Sequence, residues 1–83
     1  MLHTFQVYSR FGCHLCDEML EHLVLLQSRH DFKFEVIDIN GKPDLEARFG
    51  SKVPVLELNG EEVCHFFLDV ERFSNLLQHH KKR

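Results

Sequence analysis

The sequence predicts an α/β fold with four strands and three helices in the order β-α-β-α-β-β-α. Short runs of β-branched and aromatic residues alternate with stretches whose apolar residues recur at helical spacing. Asn59-Gly60 separates two strand-like runs in the second half, which is typical of a β-hairpin. The chain has 83 residues and neither an internal repeat nor a linker, so one domain over residues 1–83 is expected.

The first half of the chain predicts a β-α-β unit. Residues 3–8 (HTFQVY) form the first predicted strand, which ends at the break over residues 9–12. A helix is expected from Cys13 to the polar Gln27-Ser28, because one face carries most of its apolar residues: Cys16, Met19, Leu20, Leu23, Val24 and Leu26. Residues 34–39 (FEVIDI) form the second predicted strand. The two strands are expected to pair in parallel through a right-handed crossover.

The second half predicts a helix, a hairpin and a final helix. Pro43 suits the first position of a helix and acidic residues follow it, so a short helix is expected over Pro43–Phe49. Residues 53–58 and 61–66 flank the Asn-Gly turn and predict an antiparallel pair. Residues 69–77 place four apolar side chains on one helical face: Val70, Phe73, Leu76 and Leu77. The sheet is therefore expected to be mixed.

Composition and charge argue against several classes of protein. Ten Lys and Arg against 13 Asp and Glu give no basic field for nucleic acid, and the basic residues 79–83 suit a solvated helix end. No apolar run approaches the roughly 18 residues that cross a bilayer, and residues 1–9 lack the features of a signal peptide. Three cysteines are also too few for a secreted disulfide framework. We expect a cytoplasmic monomer with neither a nucleic-acid nor a membrane partner.

Cys13 and Cys16 form a Cys-x-x-Cys pair where the first strand meets the first helix. This spacing serves either redox exchange or metal binding. Unpaired N–H groups at a helix start stabilise a thiolate, and the thiolate is the nucleophile that attacks disulfides. Cys13 is therefore the predicted nucleophile, and Cys16, on the apolar face, is the predicted resolving thiol and the more buried of the two. Arg10 favours the thiolate, whereas acidic residues at the helix start oppose it.

Residues 8–16 (YSRFGCHLC) resemble the active-site segment of glutaredoxins in the thioredoxin superfamily, in particular the small bacterial type with a Cys-His-Leu-Cys site. Residues 52–55 (KVPV) resemble the cis-proline segment of that superfamily. The resemblance covers nearly the whole chain, and it implies a thioredoxin-like fold and a thiol–disulfide oxidoreductase. It also implies a cis bond before Pro54, with the backbone of Val53 binding a substrate peptide or glutathione. Arg10 would meet a glutathione carboxylate, helped by Arg48 or Lys52.

One departure from the glutaredoxin pattern concerns the two glycines that normally follow the hairpin. Here Cys64 and His65 occupy those positions, and their side chains would crowd the glutathione subsite. Strand alternation places Cys64 on the side of Phe66, opposite Val63 and His65. Cys64 is then either a buried small hydrophobe or a third redox thiol.

Two other functions stay open. Cys13, Cys16, Cys64 and His65 are a zinc-type ligand set, although the alternation of a strand points the adjacent Cys64 and His65 apart. A metal cluster shared between chains and a non-catalytic interaction module are the remaining alternatives. We expect no metal site and no permanently bound cofactor. The expected partners are disulfide-containing proteins, with glutathione or a thioredoxin-reductase-type reductant as the electron donor.

Overall fold

The computed structural model describes residues 3–81, with side chains described as far as Gln78. The predicted element order is confirmed: β1 (His3–Ser9), α1 (His14–Leu26), β2 (Phe32–Asp38), α2 (Pro43–Phe49), β3 (Val55–Leu58), β4 (Glu61–His65) and α3 (Val70–Lys81). The basic cluster of residues 79–83 lies outside the described side chains. Within the described residues, no helix is long and apolar enough to span a membrane.

The four strands form one mixed sheet in the order β2-β1-β3-β4. Strand β1 pairs with β2 in parallel and with β3 antiparallel, and β3 pairs with β4 antiparallel. Tyr8 lies opposite Val55, which in turn lies opposite His65. The loops after β1, β2 and β4 and the segment before β3 therefore meet at one end of the sheet, which we call the loop end.

Five strand boundaries differ from the sequence prediction by one or two residues, and three of these differences have a local cause. Strand β2 begins at Phe32, two residues early, because this buried ring packs into the core while its backbone pairs with His3. Strand β3 begins at Val55, because Pro54 has no N–H to donate to a strand. Strand β4 ends at His65, since Phe66 adopts a φ of 67° that leaves the extended conformation.

The two faces of the sheet bury different clusters. The main core combines residues of all four strands with α1 and α3: Phe5, Val7, Met19, Leu23, Phe32, Leu56, Leu58, Val63, Phe73 and Leu77. The Phe5 ring centroid lies 4.9 Å from that of Phe73 and 5.8 Å from that of Phe32. On the other face, α2 contributes Phe49 to a smaller cluster with Ile39 and Val55. The prediction of Val24 as a core residue was wrong, because it lies to one side of the buried stripe and is 57% exposed.

The hairpin contains the predicted turn and an irregularity that strand alternation did not predict. Asn59 and Gly60 have φ values of 56° and 83°, the positive pair that a type I′ turn requires. Leu56 pairs with Cys64 but Glu57 pairs with Glu62, so Val63 is an extra residue in β4 and forms a β-bulge. Val63 and Cys64 consequently both pack against the main core. The expectation that they point to opposite faces was therefore wrong.

Candidate active site

A tight turn connects β1 to the cysteine pair. The N–H of Cys13 donates to the carbonyl oxygen of Arg10 at 3.1 Å, and Gly12 has a φ of 84°. A positive φ at the third residue is typical of a type II turn, and glycine adopts it without steric conflict. The turn places Phe11 at its tip, where the side chain is 92% exposed.

The cysteine pair lies at the first turn of α1. Cys13 is the N-cap residue, and its Sγ accepts a hydrogen bond of 3.1 Å from the N–H of Cys16. The two residues are joined by a disulfide, with Cα atoms 5.2 Å apart, within the usual range for a disulfide. Cys16 is 2% exposed and Cys13 is half-buried, which is the order of burial that the sequence predicted.

The position of Cys13 favours its thiolate when the pair is reduced. An N-cap side chain normally offers an oxygen to the free N–H groups of the first helical turn, and here a sulfur occupies that place. A negative charge on this sulfur is stabilised both by the N–H of Cys16 and by the positive end of the helix dipole. Cys16 is 2% exposed, so Cys13 is the more accessible of the two residues.

Arg10 is fixed in place by two neutral acceptors. Its guanidinium donates to Oδ1 of Asn40 at 3.2 Å and to the carbonyl oxygen of Gly50 at 3.1 Å. These contacts tie the turn before Cys13 to the loop after β2 and to the end of α2. The sequence predicted a cation here but not its partners, which lie 30 and 40 residues away along the chain.

A surface groove of ≈ 400 Å³ runs between this turn and α1. Helix α1, the turn before it and the ends of two parallel strands contribute to its lining: Ser9, Arg10, Phe11, Gly12, Cys16, Asp17, Leu20 and Asp38. Sequence reasoning did not predict this groove. Parallel pairing of β1 with β2 was the available signal, since it brings the residue after each strand to the same end of the sheet.

The proline segment lies at the loop end of the sheet. The Val53–Pro54 bond is cis, as the resemblance implied. Pro54 is buried, and its carbonyl oxygen accepts a hydrogen bond of 2.9 Å from the N–H of Phe66. Val53 packs beside the smaller core cluster, one residue before Pro54. The strand register places this segment beside the end of β1, from which the turn leads to Cys13.

The two other predicted cations are engaged by carboxylates. Nζ of Lys52 lies 2.8 Å from Glu62, whose second oxygen lies 2.6 Å from Nδ1 of His65. Hydrogen bonds from Lys52 and His65 lower the pKa of Glu62. The Arg48 guanidinium lies 3.4 Å from the buried Glu57 and 4.5 Å from the centre of the Phe49 ring.

Cys64 and His65 do not join the cysteine pair in a metal-type cluster. Cys64 packs against the main core, and its Sγ accepts a hydrogen bond of 3.5 Å from the N–H of Asp69. Burial raises the pKa of this thiol, and the nearby Asp69 carboxylate raises it further. Among residues 3–78, no three His, Cys, Asp or Glu side chains are grouped so that they could hold a metal ion.

Comparison with known proteins identifies the family. The profile of the glutaredoxin-like domain matches residues 4–78. The chain belongs to the glutaredoxin-like domain family. It is also 33% identical over 72 residues to uncharacterised proteins of Mycobacterium bovis and Mycobacterium tuberculosis, a match that covers 81% of this chain and 74% of each relative.

Three solved structures are similar to this chain. The solution structure of protein Ne2328 from Nitrosomonas europaea superposes with a TM-score of 0.85, at 39% identity and over 93% of both chains. Protein XcR50 from X. campestris gives a TM-score of 0.74 at 30% identity, over 90% of this chain and 96% of that one. Thioredoxin f2 of Chlamydomonas reinhardtii shares only the fold, with a TM-score of 0.57 at 21% identity, over 96% of this chain and 80% of that one. This glutaredoxin-like chain therefore has the thioredoxin-like fold.

Proposed function

We propose that this glutaredoxin-like protein is a thiol–disulfide oxidoreductase that uses Cys13 and Cys16 as its redox pair. The observation that carries the proposal is the N-cap position of Cys13, where the N–H of Cys16 donates to its Sγ. A sulfur in this position is stabilised as a thiolate, which is the form that attacks disulfides. The half-buried Cys13 meets the substrate, and the buried Cys16 stays within bonding distance of it.

The reaction proceeds in two exchange steps. The Cys13 thiolate attacks one sulfur of a substrate disulfide, so a mixed disulfide forms while the other substrate sulfur leaves as a thiolate and takes a proton from water. Cys16 then loses its proton and attacks Sγ of Cys13. The mixed disulfide breaks, the second substrate thiol is released, and the Cys13–Cys16 disulfide forms. Two electrons have passed from the protein to the substrate.

The substrates and the electron donor follow from the same proposal. Disulfide-containing proteins are the substrates, and an external thiol donor, either glutathione or a thioredoxin-reductase-type protein, returns the pair to the dithiol. The backbone of Val53 pairs with an extended substrate segment. No permanently bound cofactor takes part, and the protein acts as a monomer in the reducing cytoplasm. The metal-binding alternative has less support, because Cys64 and His65 already contact Asp69 and Glu62.

The proposal is tested by equilibrating the protein in graded mixtures of reduced and oxidised dithiothreitol and of reduced and oxidised glutathione. Intact mass and peptide mapping then report which cysteines are oxidised at each ratio. We expect a Cys13–Cys16 disulfide that forms and is reduced reversibly with one midpoint. If both cysteines stay reduced at every ratio, or if the pair cannot be reduced, the redox function is wrong.

A further inference from the structure

We infer that the groove beside the cysteine pair selects its substrate, favouring a polypeptide disulfide with an apolar residue and a Lys or Arg next to the cysteine over the anionic glutathione disulfide. This inference rests on the proposed redox function and names the chemistry of its substrate. Phe11, Asp17 and Asp38 are the specificity-determining residues.

Phe11 supplies the apolar contact. The turn that carries it is fixed by the hydrogen bond between Cys13 and Arg10, so the ring is held two residues before the nucleophile rather than on a free loop. It is the most exposed of the large hydrophobic side chains in the described residues, at 92%. Leu20 continues the apolar surface on the helix wall of the groove. A substrate chain that approaches Cys13 covers this surface and gains the free energy of burying it.

Asp17 and Asp38 supply negative charge. Both side chains are exposed and line the groove, and neither forms an ion pair with another described residue. Among the described residues, the one hydrogen-bond donor to Oδ1 of Asp38 is the N–H of Asn40, at 3.0 Å. The groove therefore presents two carboxylates that a cationic side chain of the substrate would neutralise.

The neighbouring cations do not cancel this preference. The Arg10 guanidinium, the one cation in the groove lining, is held by the neutral acceptors Asn40 and Gly50 and keeps its charge, so Asp17 and Asp38 still leave the lining with a net negative charge. Nζ of Lys42 donates to the backbone carbonyl oxygen of Asp38 at 2.9 Å, outside the lining. Elsewhere at the loop end, Lys52 is already paired with Glu62. An anion such as glutathione therefore meets a lining of net negative charge, in which it must compete with Asn40 and Gly50 for Arg10.

The test compares four disulfide probes with the reduced protein in stopped-flow oxidation. Two are symmetric peptide disulfides, acetyl-Lys-Cys-Phe-amide and acetyl-Glu-Cys-Phe-amide; the others are oxidised glutathione and neutral hydroxyethyl disulfide. Each rate is divided by the rate of the same probe with dithiothreitol, which removes the intrinsic reactivity of the disulfide. We expect the Lys peptide to react about tenfold faster than the Glu peptide and than oxidised glutathione at low salt, with the difference shrinking as salt screens the charges.

Charge and apolar variants separate the two contributions. Asp17→Asn and Asp38→Asn should each lower the Lys-to-Glu rate ratio about threefold, as expected when the removed charge lies about 13 Å through watery surroundings from a side chain whose charge is opposite in the two probes. A ratio cancels any change in the reactivity of Cys13 itself. Phe11→Ala should lower the rate with the Lys peptide about tenfold more than the rate with hydroxyethyl disulfide, because the variant lacks the ring surface that the bound peptide would cover.

Matched controls lie away from the groove. Glu61→Gln makes the same charge change beside the hairpin turn, where Glu61 pairs with Leu58, and should leave the rate ratio unchanged. Val36→Ala truncates another exposed apolar side chain, on β2. Equal normalised rates for all probes, or equal effects of Asp17→Asn and Glu61→Gln, would overturn the inference about the substrate. The redox function would still stand in that case, provided that the protein exchanges with hydroxyethyl disulfide. If the reduced protein reacted with none of the four probes, both the substrate preference and the redox function would be wrong.

Discussion

Two thiols of this protein lie beside the starts of two helices, yet their surroundings differ. Sγ of Cys13 accepts the N–H of Cys16 at 3.1 Å at the start of α1, and Sγ of Cys64 accepts the N–H of Asp69 at 3.5 Å just before α3. At α1 the cysteine itself is the N-cap. At α3 the carboxylate of Asp69 accepts the N–H of Arg72 at 3.1 Å and so caps the helix.

The comparison shows that closeness to a helix start does not by itself activate a thiol. At α3, Asp69 already places a negative charge at the positive end of the helix, so a Cys64 thiolate would meet repulsion there. The packing of Cys64 against the core adds a desolvation penalty, and both effects raise its pKa. Cys13 is itself the cap of its helix and is only half-buried, although Asp17 also places a carboxylate in the first turn of α1. We therefore expect Cys13 to react with disulfides and Cys64 to remain an inert thiol.

Replacing Cys13 or Cys64 with serine tests the different roles assigned to these two thiols and should give the largest effect. Cys13→Ser should lower the rate of disulfide exchange by about a thousandfold or more, because the nucleophile is lost. Cys64→Ser should leave the rate within about twofold, since this thiol takes no part in the exchange. The measurement is insulin reduction with dithiothreitol as donor. Near-normal activity of Cys13→Ser, or a large loss in Cys64→Ser, would reverse the assigned roles.

Cys16→Ser tests whether Cys13 is the attacking thiol and Cys16 the resolving thiol. Attack by Cys13 should continue, but the mixed disulfide should persist because no resolving thiol displaces the product. Mass spectrometry after mixing with a peptide disulfide should find the peptide attached to Cys13. Attachment to Cys64 instead would show that burial does not protect that thiol.

Alkylation of the reduced protein measures the difference between the two thiols directly. Iodoacetamide reacts with thiolates, so at about pH 7 Cys13 should be labelled at least about tenfold faster than Cys64. Because the pKa of Cys64 is raised, its labelling should accelerate only when the pH rises above the ordinary value of a thiol. Timed quenching followed by peptide mapping gives both rates, and unfolding the protein in urea should make them similar.

The features that depend on local sequence were predictable. The element order followed from apolar periodicity and from the Asn-Gly turn, and the structure has the same order. The helical spacing of apolar residues predicted both the helix start near Cys13 and the greater burial of Cys16. The cis bond before Pro54 was implied by the family resemblance rather than by the residues alone, because most X–Pro bonds in folded proteins are trans.

The features that depend on tertiary contacts were not predictable. The bulge at Val63 changes which residues of β4 face the core, and simple alternation carries no sign of it. The partners of Arg10 come from two distant loops that meet only after the sheet has formed. Asp38 reaches the groove through the parallel pairing of β2 with β1, which was predicted, but the groove itself was not predicted because its lining also depends on the packing of α1.

Asp69 offers a way to separate charge from capping at the second thiol. Asp69→Asn keeps a capping oxygen but removes the negative charge, so the pKa of Cys64 should fall and its alkylation should accelerate about threefold. Asp69→Ala also removes the cap and should lower the free energy of unfolding by about 1 kcal/mol. Urea unfolding followed by circular dichroism checks the stability, and peptide mapping checks the alkylation rate. Equal stabilities of the two variants would show that Asp69 is not the cap.

The smallest expected effect concerns Glu62, whose carboxylate contacts Lys52 and His65 and lies near Cys64. Its pKa is lowered in the folded protein, so the contribution to stability is present above the unfolded pKa and is lost as the pH falls through the folded value. Glu62→Gln should therefore lower the free energy of unfolding by about 0.5 kcal/mol near pH 7, since a partly exposed pair is screened by solvent.

The difference between wild type and Glu62→Gln should disappear as the pH falls below 4.5, the ordinary pKa of a glutamate. Urea unfolding of the oxidised proteins at a series of pH values measures it, with Glu61→Gln as the neighbouring control because Glu61 is exposed and has no described ion pair. Glu62→Gln also removes one of the two carboxylates that raise the pKa of Cys64, so alkylation of Cys64 should become slightly faster. A stability difference that stayed constant at acid pH would mean that Glu62 acts through packing rather than through its charge.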